Sequence, residues 1–141
     1  MMIYLAADKP LRLLDWNEAE PAFYVSVLAP DEDLRVGSQF IENVVYAGSH
    51  EGCGCGFQCG EYPEDSYEPG ELDRRRRSLH QFAEYLRGEL PRVGRVEVFA
   101  CWDGDQEFPP EHHRTLTPSL LEAPDFFFLQ KELSSIVEDA G

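Results

Sequence analysis

Cys53, Cys55 and Cys59 fall within seven residues of one another in the stretch GSHEGCGCGFQCG (48–60), and His50 stands three positions ahead of the first. Thiolate and imidazole are the donors that hold zinc, and a thiolate is also the nucleophile of disulfide exchange. Zinc takes four ligands with sulfur at roughly 2.3 Å, which sets tetrahedral sulfurs about 3.7 Å apart. On an extended strand Cys53 and Cys55 would face opposite ways and could not share an ion. Gly52, Gly54 and Gly56 lift that restriction, because glycine tolerates positive φ and lets the chain fold both thiols inward. Cys59 is near enough for such a turn to return it. The candidate metal ligands are therefore His50, Cys53, Cys55 and Cys59, with the distant Cys101 as a further donor, and zinc is the cofactor they would take. The Cys-x-Cys spacing is tighter than the Cys-x-x-Cys of common zinc turns.

Two other readings of the same residues stay open. Cys53-Gly54-Cys55 is a dithiol with a minimal spacer, and Cys59 could resolve a mixed disulfide. A reactive thiol needs a cation, a histidine or a helix N-terminus beside it. His50 is the nearby candidate, while Glu51, Glu61, Glu64 and Asp65 work against a thiolate. The familiar redox motif also opens a helix, and here the pattern places the next helix only at Glu71. In the third reading the glycines make a tight turn and the cysteines are small buried hydrophobes.

Other polar clusters carry less. The glycines do not follow the phosphate-loop spacing and no GK[ST] follows them. Asp103, Asp105 and Glu107 alternate in DGDQEF, but a calcium loop begun at Asp103 would need glycine and glutamate where Phe108 and Arg114 stand. His112 and His113 are adjacent between prolines and read as loop. The run Arg74–Arg77 must wrap around a helix, with Arg75 or Arg76 near its apolar stripe. No nucleophile triad can be assembled, so the residues assign no enzyme activity.

These residues need a scaffold, and the chain supplies one of a definite class. Apolar runs at 1–7, 22–29, 43–48 and 94–102 are short and rich in β-branched or aromatic residues, as strands are. Leu72, Leu79, Phe82, Ala83, Leu86 and Leu90 recur on one helical stripe, with Glu71–Arg75 and Asp73–Arg77 pairs four apart on its surface. Gly88 and Pro91 are expected to stop that helix. The segment 31–40 has room for one or two helical turns, and Thr117-Pro118 opens another short helix. Residues 125–138 fit either helix or strand and are read as strand. The expectation is a single α+β domain over 1–141, a mixed β-sheet of about five strands packed by one long amphipathic helix at about 71–90. If the strand before the cysteine loop and the strand after the helix are parallel neighbours, the helix crosses over the sheet and the Gly/Cys-rich loop leaves a strand's C-terminal end.

Composition bounds the partners. The formal charge is −15 over 141 residues, which repels phosphate backbones and anionic membrane surfaces, so neither nucleic acid nor membrane is expected. A basic protein is the macromolecular partner that such a charge favours. The N-terminal MMIYLAADKPL has no basic lead and no apolar run of spanning length, which points to the cytoplasm, where thiols stay reduced.

The segments YAGSHEGCGCGF (46–57) and CWDGD (101–105) resemble an uncharacterised family of small bacterial soluble proteins. In that family a glycine–cysteine loop follows a strand, a helix comes next, and a CWDGD-like strand end follows. The resemblance implies a compact bacterial domain and brings no activity or site residues with it. Three functions are expected in order: a small cytosolic protein with a structural or sensing zinc-type site, an acidic immunity-like module for a basic protein, and a thiol redox protein.

Overall fold

In the computed structural model, which describes residues 1–40 and 43–140, six strands form one mixed sheet. They are β1 (Met2–Ala6), β2 (Tyr24–Ser26), β3 (Val45–Gly48), β4 (Val96–Cys101), β5 (His112–Leu116) and β6 (Glu132–Ile136), in the order β2-β3-β1-β4-β6-β5. Three α-helices accompany them, α1 (Pro30–Val36), α2 (Glu71–Val93) and α3 (Pro118–Leu121). Only β5 and β6 run parallel; every other pair is antiparallel. The α+β class and the long helix agree with the sequence reading.

The period-two alternation of strands sorts their side chains into two layers. Ile3, Leu5, Ala47, Val96, Val98 and Ala100 face α2, which packs Leu79, Phe82, Ala83, Leu86 and Leu90 against them. Burying one such Leu or Phe side chain is worth about 1.5–3 kcal/mol. Tyr4, Ala6, Tyr46, Phe99 and Cys101 face the other way, into a smaller cluster with Val36 of α1 and Phe40. β1 is covered on both faces, by α2 over Ile3 and Leu5 and by the Val36–Phe40 cluster over Tyr4 and Ala6, and it lies between β3 and β4. Those two strands are each antiparallel to β1, so they run parallel to one another, and α2 crosses from one to the other over β1. The expected crossover is present, but β3 and β4 are not neighbours.

Three details correct the sequence reading. A sixth strand, β5, occupies the segment read as a loop around His112 and His113. It is a sheet edge held only by β6, and its first four residues are not buried, so no apolar pattern announces it. α2 continues past Gly88 and Pro91 to Val93. Leu90 and Val93 remain buried in its last turn, and Gly94, with φ 79, closes it by donating to the Leu90 carbonyl at 2.7 Å. In 125–138 the strand is confined to Glu132–Ile136; Phe126 and Phe128 enter the core from irregular chain. No helix among the described residues is long and apolar enough to cross a membrane.

Candidate functional site

The chain leaves β3 at Gly48 and folds back at once. The Ser49 N–H and hydroxyl both donate to the Cys53 carbonyl, at 3.0 and 2.6 Å, and the Gly52 N–H donates to the Ser49 carbonyl at 2.9 Å. Gly52 takes φ 85, the left-handed conformation this reversal requires. Gly54–Phe57 then form one turn of 3-10 helix, with Cys53 in extended conformation at its N-cap. Cys53 Sγ accepts a hydrogen bond from the Cys55 N–H at 3.4 Å. A helical turn therefore opens at the cysteine pair, where the sequence reading placed none between the cysteines and Glu71.

Gly54 and Gly56 serve close approach rather than positive φ. A Cβ at Gly54 would lie 2.5 Å from Ile3 Cγ1, and one at Gly56 would lie 2.2 Å from Ser49 Oγ. The Gly54 N–H donates to the Met1 carbonyl at 2.9 Å, which fastens the turn to the start of β1. Phe57 is fully buried against Phe82 of α2, their ring centroids 5.1 Å apart. From the same helix Arg75 Nη1 donates to the carbonyls of Cys55 and Gln58 at 2.6 and 2.9 Å.

Of the five candidate ligands, the structure brings two together. The Cys53 and Cys55 side chains adjoin, with Cys53 Sγ accepting from the Cys55 N–H at 3.4 Å, and both are half-buried. The neighbouring Cys53 thiol, acting as donor, holds the Cys55 thiol down to about 5, aided by the Met1 amino group 3.0 Å from its sulfur and opposed by burial and by Glu51. The Cys55 side chain and burial push Cys53 up, so the pair favours a single thiolate at Cys55. Cys59 is buried in the core beneath α2 and its thiol is raised by burial. Cys101 lies in the opposite layer, beside Tyr4 and Phe99, where burial pushes it up to about 12. His50 turns toward α2, its Nδ1 2.7 Å from Ser78 Oγ, and burial lowers its pKa. Its Nε2 has no hydrogen-bond partner, and Glu51 Oε1 stands 3.8 Å away.

Among the described residues, no three of these five place donor atoms within 4.8 Å of one another. The trio that does is His80, Glu84 and Glu122, and a cation already stands among them. The Arg87 guanidinium pairs with Glu84 at 2.6 Å, with Asp139 at 3.3 Å, and with Glu122. Two of the three DGDQEF acids are likewise engaged by protein groups: Gln106 Nε2 donates to Asp103 at 2.9 Å and Gln130 Nε2 to Asp105 at 2.6 Å. His112 and His113 are exposed on β5.

Two contributors to the site carry no sequence signal beyond their type. Tyr24 and Tyr46 both donate to the Gly52 carbonyl, at 2.6 and 3.3 Å, and so hold the loop's first turn from the α1 side of the sheet. In the run of four arginines only Arg75 reaches the loop; the helical stripe narrowed this to Arg75 or Arg76, and packing selected Arg75. Comparison of the chain with protein-family models, curated proteins and solved structures finds no match in any of the three.

Proposed function

We propose that the chain is a thiol–disulfide exchange protein in which Cys55 attacks and Cys53 resolves. One observation carries this reading: two half-buried thiols one glycine apart at the mouth of a helical turn, the Cys53 sulfur accepting from the Cys55 N–H and the Cys55 sulfur lying 3.0 Å from the Met1 amino group. A buried inert pair would lack access, and a zinc site would need two further ligands that do not converge here.

The chemistry follows from that pairing. The Cys55 thiolate attacks one sulfur of a partner disulfide; a new S–S bond forms and the first partner thiolate leaves. Cys53 gives up its proton, attacks the Cys55 sulfur and expels the second partner sulfur. The products are a Cys53–Cys55 disulfide, one thiolate and one thiol, so the partner gains the two electrons that the pair loses. Residues two apart in a helical turn stand about 5.5 Å apart at Cα, inside the roughly 4.4–6.8 Å window that a disulfide spans. The internal bond can therefore close without unfolding the loop.

The test is incubation of the reduced protein with oxidised glutathione, followed by peptide mapping. The expected product is an intramolecular link between Cys53 and Cys55, and Cys53→Ser should instead accumulate a mixed disulfide on Cys55. A protein that stays fully reduced, or links Cys59 or Cys101 first, overturns the reading.

A further inference from the structure

Arg75 belongs to an apparently repetitive run, yet its surroundings differ from those of its neighbours. Its side chain is 13% exposed, against 36% for Arg76, and Arg74 and Arg77 lie in solvent. Its guanidinium is held on three sides. Glu71 Oε1 accepts from Nε at 3.1 Å and from Nη2 at 2.6 Å, and the Tyr67 ring lies 5.1 Å from its carbon. The third side is Nη1, which spans the carbonyl of Cys55 inside the 3-10 turn and that of Gln58 at its C-cap. The Cys55 carbonyl already accepts from the Gln58 N–H at 3.3 Å, and the guanidinium adds a charged, stronger donor to it.

Resting on the exchange reading, we propose that Arg75 is a positioning residue that biases the Cys53–Cys55 couple toward the dithiol. Its two carbonyl contacts are made to the turn as it stands with free thiols. A disulfide brings the two sulfurs from non-bonded separation to about 2.05 Å, with a dihedral near roughly 90°. The ring so closed contains only Gly54 between the two cysteines, so the Gly54–Cys55 peptide group must turn to let the sulfurs meet. That turn reorients Cys55 and, through it, the next peptide group outside the ring, whose carbonyl the guanidinium holds. Oxidation therefore loosens a contact that the dithiol keeps. Stabilising the reduced form makes a disulfide more oxidising. The planar fork matters as well as the charge, because one guanidinium must reach two carbonyls and a carboxylate at once.

The experiment is equilibration of the full chain with glutathione buffers of graded ratio, quenched by alkylation and counted by mass, for wild type, Arg75→Gln, Arg75→Lys and Glu71→Gln. Arg75→Gln is expected to move the equilibrium about tenfold toward the disulfide, equivalent to a potential about 30 mV lower. Arg75→Lys should move most of that way, and Glu71→Gln should move less but in the same direction. The Glu71 variant carries the test if loss of Arg75 prevents folding, which circular dichroism will show. Variants within about twofold of wild type overturn the role of Arg75 while leaving the exchange reading intact. An Arg75→Lys protein identical to wild type overturns the positioning argument, since charge alone would then suffice. A wild type that forms no Cys53–Cys55 disulfide at any ratio overturns the exchange reading itself, and the role of Arg75 with it.

Discussion

The Tyr24 ring lies across Gly48, its cross-strand partner, and places its hydroxyl 2.6 Å from the Gly52 carbonyl. One glycine in β3 thus gives a tyrosine in β2 the room to hold the first turn of the cysteine loop. A Cβ at Gly48 would stand 2.2 Å from Tyr24 Cε1, so Gly48→Ala must displace the ring. Overpacking of this kind costs about 1–3 kcal/mol, and urea unfolding should show a loss in that range. Tyr24→Phe keeps the ring and removes one hydrogen bond, worth about 0.5–1.5 kcal/mol. Tyr46, 3.3 Å from the same carbonyl, should hold that loss to the lower end. Equal stability for Gly48→Ala and wild type would contradict the close packing.

The thiolate at Cys55 has a pH signature. The thiolate is the reacting form, so alkylation of Cys55 should persist as pH falls and drop away only through about 5. Donation from the Cys53 side chain is the largest cause of that low value, so Cys53→Ala, which removes the donor, should move the midpoint upward. Alkylation rates measured against pH by mass spectrometry decide the matter. A wild-type midpoint near the free-thiol value of about 8.5 would remove the attacking thiolate.

Zinc separates the first sequence expectation from the reading adopted above. With only Cys53 and Cys55 adjoining, added zinc should leave the thermal midpoint within about a degree, and a chelator should not unfold the chain. A stoichiometric, tightly held zinc whose loss destabilises the fold would restore His50, Cys59 or Cys101 as ligands.

Charge should select among disulfide partners. The chain carries −15, and Glu51 stands beside the pair. At low ionic strength a cationic disulfide such as cystamine should oxidise the protein about tenfold faster than anionic glutathione disulfide. Added salt should collapse that ratio, since exposed charges are screened beyond about 10 Å at 0.1 M. A ratio near unity that ignores salt would remove electrostatic steering and, with it, the main argument for a basic partner.

Read from the sequence, α2 is nearly complete, because a stripe from Leu72 to Leu90 repeats at the helical period and needs no partner to be recognised. β1 through β4 were legible for a similar reason: short β-branched and aromatic runs declare their type locally. β5 was not, since an edge strand that begins His112-His113-Arg114 buries almost nothing. Pro91 misled because a local helix breaker was outweighed by the burial of Leu90 and Val93 on either side of it.

The site divides along the same line. Local sequence determined that a glycine-rich reversal carries two thiols one residue apart, since both facts depend only on residue type and spacing. Which cysteines meet was decided by contacts far away in the chain. Gly54 packs on Ile3, Arg75 caps the turn from α2, and the parity of β4 sends Cys101 into the layer opposite Cys59. No local pattern encodes a distance between residues 50 positions apart. Sheet order and helix packing set it, and those exist only once the whole core has closed.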